Sequence, residues 1–330
     1  MRQVSLFETL GMQKDTGEPP DVYDFFAGAG GFSCGARQAG CRIAWACDND
    51  PLALRTHANN HPDTEHVLAE LPLKRSQWPF PTDGRRFHAH FSPPCQRFSQ
   101  ANMYVSSKKE EAEGSSDELR AATRLVRWSL RVALTCGAAT WSFEQVPSQR
   151  IIALVERAKR LHPGRVGYTV VDFVDLGLPQ SRKRLIAGSP HLIAKLERNV
   201  NPLQRTPIAS AIASPRGTHV RNGCYSKSCR QYALSKRKGR KRSGWGEHLR
   251  SIHEPSFTVL ANRGLNWITR TDNGIKKKHP RLNTREYAAL QSFPGDYQWP
   301  KGANLGMRQV GNSVPPLVAS LLMRAATIYV

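Results

Sequence analysis

The sequence has little that would suit a secreted, membrane-bound or metal-binding protein. Its seven cysteines are odd in number and lack the regular spacing of a disulfide framework. The first residues, "MRQVSLFETLGMQKDTG", lack the apolar core of a signal peptide, and no apolar run is long enough to span a bilayer. Cys224 and Cys229 form a close pair, but no other Cys or His stands beside them at zinc-ligand spacing. We therefore expect an intracellular, reduced protein with no membrane partner and no metal, in the nucleus of a eukaryotic host or the cytoplasm of a bacterial one.

Acidic residues are scarce beside the basic ones, which gives the 330-residue chain a formal net charge of +22. The excess is concentrated between Pro190 and Arg281, where 20 Lys and Arg accompany 4 Asp and Glu. Within that range, "SKRKGRKRSG" from Ser235 to Gly244 is a dense basic run. Such a surface can simply be solvated, but it favours a polyanion as partner. Because no basic amphipathic helix is visible, nucleic acid is a better candidate than an anionic membrane.

Short β-rich runs alternate with helical stretches between Asp21 and Ser189. The β-rich runs are "VYDFFA", "CRIAWAC", "RFHAHFS" and "ATWSFEQV", and the helical stretches are "GGFSCGARQAG", "PLALRTHANN", "DELRAATRLVRWSLRVALTCG" and "SQRIIALVERAKRL". This alternation predicts an α/β domain with a parallel sheet covered on both faces. After Ser189 the periodicity fades. It returns in "NTREYAALQSFP" and in the terminal "GNSVPPLVASLLMRAATIYV", an apolar helix that we expect to pack back on the first domain.

A glycine-rich turn follows the first β-rich run, in "DFFAGAGGFS". Glycines between a strand and a helix let a ligand approach the backbone N–H groups at the helix N-terminus. Ser33 stands where a dinucleotide fingerprint has its third glycine, so a nucleotide-type cofactor other than NAD is favoured. Twenty residues after Gly28, Asp48 ends the second β-rich run, where a carboxylate can accept hydrogen bonds from ribose hydroxyls. A tight turn and a surface acid are the structural alternative.

The segment "FSPPCQRFSQ" places two prolines between a strand and Cys95. Consecutive prolines fix two φ angles and remove two N–H donors, so the chain is stiff where the thiol is presented. A rigid turn with a buried thiol is the structural alternative. An aromatic residue after Ser-Pro-Pro would suggest methylation of an exocyclic amino group, with a flipped base stacked on that ring. Cysteine suggests another reaction, because a thiolate can add reversibly to C6 of cytosine and make C5 nucleophilic.

Glu144 and a pair of arginines are of the types that this chemistry needs. Negative charge develops on a ring attacked at C6, so an acid or a hydrogen-bond donor is required at N3. Glu144, in "SFEQV", ends an apolar strand and is placed to be buried, as suits a proton donor. Arg182 and Arg184, in "LPQSRKRLIAG", stand two apart on one side of an incipient strand, where they could clamp a base carbonyl and a phosphate. Taken alone, each could equally be a surface charge.

Taken in order, the motifs resemble those of the cytosine-C5 DNA methyltransferase family. They are "DFFAGAGGFS", "SPPCQRFS", "FEQV", "QSRKR", "REYAALQSFP" and "QVGNSVPP", and they extend from Asp24 to Pro316. The resemblance implies a Rossmann-like, S-adenosylmethionine-dependent methyltransferase domain with a mixed, mostly parallel sheet, plus a smaller basic target-recognition domain. It implies the following division: an N-terminal extension at 1–20, the first part of the catalytic domain at 21–189, the recognition domain at 190–300, and a segment at 301–330 that returns to the catalytic domain.

The resemblance also implies how the cofactor S-adenosylmethionine would be bound. Phe26, Gly28 and Gly30 would lie at its methionine end, and Asp48 would bind the ribose. Asp48 stands where the family more often has Glu.

Four further positions complete the implied cofactor site. Glu70 and Pro93 would lie near the adenine, and Asn312 and Ser313 would close the site. Glu70 and the following Leu71 stand where the family usually has Asp-Ile. These departures keep the hydrogen-bonding type but leave the detailed contacts open.

In the reaction that the resemblance implies, Cys95 would attack C6 of a cytosine flipped out of duplex DNA. Glu144 would hold N3 and the amino group, although Gln145 replaces the usual Asn beside it. Arg184 would bind the base carbonyl and Arg182 would support the site. The polar loop at residues 97–117 would close over the base, and the enzyme is expected to act as a monomer.

Two other readings use the same fold. A sister branch of the family methylates tRNA, but it has a shorter, less basic recognition region and a Cys-Phe-Thr tripeptide, neither of which is present here. A catalytically silent DNA-binding regulator could dispense with the thiol or the glutamate, whereas this sequence keeps Cys95 and Glu144. The DNA sequence context of methylation cannot be read from the chain, because it depends on where a few side chains meet base edges.

Overall fold

The computed structural model describes residues 18–94, 114–203, 205–222, 249–261, 264–271 and 274–327, with the backbone alone at 114–116, 270–271 and 274–280. Within these ranges the chain forms a seven-stranded sheet flanked by helices and a separate four-stranded sheet. None of the helices in these ranges is both long and apolar enough to cross a membrane.

The large sheet is mixed and mostly parallel, as the sequence predicts. Its strands in chain order are β1 Asp21–Phe25, β2 Ile43–Asp48, β3 Glu65–Leu68, β4 Phe87–Phe91, β5 Thr140–Gln145, β6 Gly167–Asp172 and β7 Lys183–Gly188. They lie in the order β3-β2-β1-β4-β5-β7-β6, and only β7 runs antiparallel to its neighbours. The chain leaves β1 toward β2 on one side and returns to β4 on the other. This reversal of strand order is where open α/β sheets bind ligands.

Helices cover both faces of the large sheet because its strands are apolar on both sides. One face packs on α3 Gly114–Thr135 and α4 Gln149–Leu161, through a core that includes Phe25, Trp128 and Phe143. The other face packs on α1 Gly31–Gln38, α5 Pro190–Arg198 and the terminal helix, through a core that includes Phe32. All four helical stretches and all four β-rich runs predicted before Ser189 are present, the remaining helix being α2, Pro51–Asn60.

The helices that follow the small sheet are α7 Thr284–Leu290, α8 Ala303–Asn312 and α9 Pro316–Thr327. A short α6, Ile208–Ala211, precedes it. The apolar residues of α9 share a core with α1 and α5. The predicted division at residue 189 remains a prediction, and α5, which that division assigns to the recognition domain, packs on the large sheet.

The small sheet is antiparallel throughout and lies in the basic part of the chain. Its strands are β8 His219–Asn222, β9 Leu249–Ser251, β10 Leu265–Thr271 and β11 Gly274–Arg281, in the order β11-β10-β8-β9. Glu286 of α7 anchors it by accepting hydrogen bonds from Trp267 Nε1 (3.2 Å) and Arg216 Nη2 (2.7 Å). The sequence did not predict these strands, because they lack a clear alternation of apolar and polar residues and because β8 and β9 are short.

Candidate active site

The strand order of the large sheet brings the sequence-predicted residues to one edge. Strands β2, β1, β4 and β5 are parallel neighbours, with Phe25 level with Cys47 and with Phe91, so their carboxyl ends meet. Asp48 therefore lies beside the glycine turn, and the Pro-Pro segment lies beside Glu144. Because β7 is antiparallel, it begins at this same edge and carries Arg184 there.

The glycine turn is held by the carboxylate at the end of β2. Gly28 N–H donates to Asp48 Oδ2 at 2.8 Å, and Asp50 N–H donates to Asp48 Oδ1 at 2.9 Å. Burial raises the pKa of Asp48, and the two N–H donors act in the opposite direction. Phe26 has a φ of 62°, which is unusual for an aromatic residue and stores backbone strain of about 1 kcal/mol or more. A Cβ on Gly28 would meet no protein atom within 4 Å, so the turn borders open space.

The C-terminal segment crosses the start of α1, directly beside this turn. A Cβ on Gly31 would lie 2.2 Å from Val314 O and 2.8 Å from Ser313 Cβ, so only glycine permits the approach. Ser313 is buried and donates its hydroxyl to Gln309 O at 2.7 Å, whereas Asn312 is exposed. The structure thus brings Ser313 to the glycine turn, and Asn312 precedes it in the chain.

Glu70 and Pro93 flank the turn on either side. Ala69 N–H donates to Asp48 O at 3.1 Å, which places the exposed Glu70 next to Asp48. Pro93 is buried, and Ser92 Oγ donates to Phe26 O at 3.3 Å. The Pro-Pro segment is thereby tied to the backbone of the glycine turn.

Gln145 binds the Pro-Pro segment from the other side. This fully buried amide donates from Nε2 to Pro93 O at 2.9 Å and accepts Val146 N–H at 2.8 Å. The sequence marked Gln145 only as a departure from the family pattern. Its partner lies 52 residues away in the chain, on a neighbouring strand, so no local signal could have shown the contact.

Glu144 and Arg184 form an ion pair at the same edge. Arg184 Nε lies 2.8 Å from Glu144 Oε1, and the two side chains are only 11% and 9% exposed. Arg184 also donates from Nη1 to Lys183 O at 2.8 Å. A buried carboxylate of this kind requires a cationic partner, because an isolated buried charge is costly.

Arg182 lies among backbone carbonyls. Its guanidinium donates to Val259 O at 3.2 Å and to Gly311 O and Ser313 O at 3.3 Å each, and the residue is 3% exposed. We call the small sheet, together with the described residues that link its strands, the small-sheet unit. Arg182 therefore joins β7, the small-sheet unit and the C-terminal segment. Arg182 and Arg184 face different partners, so they do not act as one clamp in this structure.

Three predicted features lie wholly or mostly outside the described residues. Cys95 follows Pro94 immediately, at the end of the segment that Gln145 and Ser92 hold. The basic run from Ser235 to Gly244 also lies outside, as does most of the loop at 97–117.

A separate cavity of about 430 Å³ lies between the small-sheet unit and α8. Leu260 and Met307 contribute apolar surface to it, and Arg281 and Arg308 contribute two guanidinium groups. Arg308 Nη2 lies 3.2 Å from Asp50 Oδ2, so this cleft adjoins the edge that carries Asp48.

A comparison with protein families gives the family of the chain. The model for the C-5 cytosine-specific DNA methylases matches residues 21–120 and 165–327. The chain belongs to this family. The match confirms the family resemblance and the enzyme class inferred from it, a DNA (cytosine-5-)-methyltransferase.

Known relatives of this methylase are bacterial and archaeal. The type II methyltransferase M.HgiDI of Herpetosiphon aurantiacus is 27% identical over 93% of this chain and 94% of its own length. M.NgoFVII of Neisseria gonorrhoeae is 27% identical over 90% of this chain and 83% of its own. M.MthTI of Methanothermobacter thermautotrophicus is 25% identical over 92% of this chain and 96% of its own length.

Solved structures show that the methylase has the fold expected for its family. A DNA modification methyltransferase encoded within an E. coli prophage aligns with a TM-score of 0.62 at 19% identity, over 93% of this chain and 98% of that one. The Dnmt2 methyltransferase of S. pombe aligns with a TM-score of 0.58 at 16% identity, over 92% of this chain and 97% of that one. The predicted fold class, a Rossmann-like methyltransferase domain with a smaller basic unit, is confirmed.

Proposed function

We propose that this methylase adds a methyl group to C5 of a cytosine flipped out of duplex DNA, using S-adenosylmethionine and a transient bond between Cys95 and C6. One observation carries the proposal. The buried Glu144–Arg184 pair, the glycine turn with Asp48, and the Pro-Pro segment that leads into Cys95 all meet at one edge of the sheet.

The residues at this edge fit the cofactor. Gly28 borders open space, and Asp48 offers a fixed carboxylate to ribose hydroxyls. Phe26 and Gly30 would hold the methionine end, Glu70 and Pro93 the adenine end, and Asn312 and Ser313 the open side. When bound, S-adenosylmethionine supplies an electrophilic methyl group on a sulfonium.

The protein residues would act on the cytosine ring in a fixed order. The Cys95 thiolate adds to C6, and the electron pair displaced from the C5–C6 bond makes C5 nucleophilic. Glu144 holds N3 and the amino group, while Arg184 donates to the carbonyl oxygen and Arg182 supports the site. After C5 has been methylated, loss of the C5 proton and of the thiolate restores the aromatic ring and frees Cys95.

Duplex DNA is the partner that the charge of the chain supports. The small-sheet unit lies in the basic part of the sequence, and the cleft lined by Arg281 and Arg308 opens between it and the catalytic edge. The dense run from Ser235 to Gly244 would add phosphate contacts that do not depend on sequence. We also propose that the enzyme acts as a monomer inside the cell.

A trapping experiment tests the nucleophile. Duplex DNA containing 5-fluorocytosine cannot release the adduct, because fluorine at C5 cannot leave as a proton does. The wild type with S-adenosylmethionine should therefore form a protein–DNA adduct that survives denaturation. Cys95→Ala should form none, whereas Cys136→Ala, which removes another free thiol, should behave as the wild type.

The same assay separates the remaining alternatives. Adduct formation by Cys95→Ala would overturn the assignment of the nucleophile. Reaction with 5-fluorocytosine in tRNA and not in duplex DNA would identify a tRNA enzyme. DNA binding by the wild type with no adduct on either substrate would identify a silent regulator.

A further inference from the structure

The glycine turn rests on three buried aromatic rings. A Cβ on Gly30 would lie 2.7 Å from Tyr297 Oη, 3.0 Å from His57 Cδ2 and 3.1 Å from His61 Cδ2. Gly30 has a φ of 91° and begins α1 without a side-chain cap. No room remains beneath the turn, so the positions of these rings decide where its backbone lies.

Tyr297 contacts the turn through a hydrogen bond as well as by packing. Its hydroxyl donates to Ala29 O, although the two residues are 268 positions apart in the chain. His61 Nε2 lies 3.4 Å from the same hydroxyl. The Tyr297 ring is held in place by Phe293 and Trp299, with centroid distances of 4.8 and 5.0 Å. A carbonyl of the cofactor turn is thus fixed by the C-terminal part of the protein.

A second chain of hydrogen bonds runs under the turn. Ser33 Oγ, in the first turn of α1, donates to Asp24 Oδ2 at 2.7 Å. A hydroxyl has one proton to donate, so Ser33 accepts from His57 Nε2, which lies 2.9 Å away. His57 Nδ1 is then the acceptor for His66 Nε2, at 2.8 Å. Every donor in this chain points toward Asp24, at the end of β1, an arrangement in which hydrogen bonds reinforce one another.

Burial keeps the rings of this network neutral. It lowers the pKa of His57 well below the usual value, and the nearby His66 lowers it further. It also lowers the pKa of His61 to about 4, and Arg37 and His66 add to that shift. Neutral imidazole has one donor and one acceptor, so each histidine has a single direction within the network. While Asp24 is ionised, the network therefore has one arrangement, and it supports one shape of the turn.

We propose that Tyr297 and Ser33 are positioning residues that hold the glycine turn in its cofactor-binding shape. The inference rests on the proposed function, because it takes S-adenosylmethionine as the ligand of this turn. Neither residue is among those proposed to act on the cytosine ring. Their loss should therefore weaken cofactor binding and leave the rate at saturating cofactor largely unchanged.

Two single-atom deletions test the proposal in the full-length protein. Tyr297→Phe removes the hydroxyl that binds Ala29 O, and Ser33→Ala removes the hydroxyl that joins His57 to Asp24. Affinity for S-adenosylhomocysteine, which cannot react, is measured by titration calorimetry without DNA. Each variant should raise the Kd by about 3- to 10-fold, the range expected for one hydrogen bond.

Matched controls distinguish positioning from general loss of stability. Tyr287→Phe removes a buried hydroxyl that accepts Leu265 N–H in the small-sheet unit, and Ser129→Ala removes one that donates to Leu125 O in α3. Both should leave the Kd within about twofold of the wild type. Melting temperatures measured without ligand show whether each variant, Tyr297→Phe or Ser33→Ala, is as stable as its matched control.

The outcomes separate this inference from the proposed function. If the wild type binds no S-adenosylhomocysteine, the proposed function fails. If the wild type binds it and Tyr297→Phe and Ser33→Ala bind equally well, or if the controls weaken binding as much, the positioning role is wrong. Should Tyr297→Phe fold poorly, Ser33→Ala decides alone, since Ala is a good helix residue at that position.

Discussion

At the scale of single residues, the buried pair of Glu144 and Arg184 is the feature that the proposed function uses most directly. Such a pair is not a strong source of stability, because removing two charges from water costs about as much as their attraction returns. Its position at the end of β5, opposite the start of β7, is better explained by a site whose charged groups are held in place before a substrate binds. The carboxylate and the guanidinium offer an acceptor and donors to the hydrogen-bonding groups of one base.

Replacing Glu144 with Gln should reduce turnover far more than DNA binding. The amide keeps the shape and one oxygen, but it is a much weaker acid, so kcat should fall by roughly two to four orders of magnitude. Tritium transfer from labelled cofactor measures kcat, and a filter assay measures DNA affinity. Glu156→Gln, on the surface of α4, is the control and should retain wild-type turnover. Near-normal kcat in Glu144→Gln would show that this carboxylate has no role in activating the ring.

At the scale of elements, the contact between α1 and the C-terminal segment holds the cofactor edge together. Gly31 and Gly35 lie on the same face of α1 and allow Val314 O and Pro316 O to approach. The terminal helix α9 therefore packs against α1 at backbone distance, and Ser313 is carried to the glycine turn. Packing this close is possible only where glycine has no Cβ.

Gly35→Ala should destabilise the protein although alanine favours a helix. The added Cβ would lie 2.1 Å from Pro316 O, a backbone atom, so α9 must move. Overpacking of this kind costs about 1–3 kcal/mol, which exceeds the gain in helix propensity of about 1 kcal/mol. Urea unfolding measures the loss.

Gly295→Ala is the matched control for this change, because its Cβ would meet no atom within 4 Å. It should leave the free energy of unfolding unchanged within about 0.5 kcal/mol. A Gly35→Ala protein as stable as the wild type would mean that α1 and α9 are not packed this closely in solution.

At the scale of the whole molecule, burial of histidine sets how stability depends on pH. His88 and His90 lie on the central strand β4, where His88 Nε2 and His90 Nδ1 each lie 2.8 Å from Ser142 Oγ. Burial lowers the pKa of His88 to about 3, and it lowers those of His90 and His57 well below the usual value. Asp24 behaves in the opposite sense, since burial raises its pKa to about 7.

The free energy of unfolding should therefore decrease as the pH falls below about 6.5. Near that pH the unfolded chain binds a proton at these three histidines and at His61, whose pKa burial lowers to about 4, whereas the folded protein does not. Asp24 offsets one of these protons, because the folded protein binds it near pH 7 and the unfolded chain near 3.8. The net of three protons corresponds to a slope of about 4 kcal/mol per pH unit.

Urea titrations at several pH values between 5 and 7.5 measure this slope. His88→Gln should reduce it by about 1.4 kcal/mol per pH unit, the contribution of one proton. His253→Gln, which changes an exposed residue, should leave it unchanged. Stability that is constant or rises toward pH 5 would contradict the neutral state of the buried histidines.

Local patterns in the sequence determined the elements of the first domain and the types of its reactive residues. The runs around Val22, Ala46 and Phe143 alternate with helical stretches at the spacing of α/β proteins, and this order survives in the structure. Asp48 and Glu144 stand at the ends of such strands and Gly28 just after one, where the edge of a parallel sheet collects side chains. These properties depend on neighbours in the chain, so they can be read from it.

Only the tertiary structure decided which residues support the site. Gln145 binds Pro93 across 52 positions, and Tyr297 binds Ala29 across 268. Arg182 was predicted beside Arg184 as part of one cluster, yet it donates to carbonyls of the C-terminal segment. The small sheet and the place of α5 on the large one were likewise absent from the periodicity. The physical reason is the same in each case. These contacts form between residues that come close only after the strands have taken their order, and that order is a property of the whole folded chain.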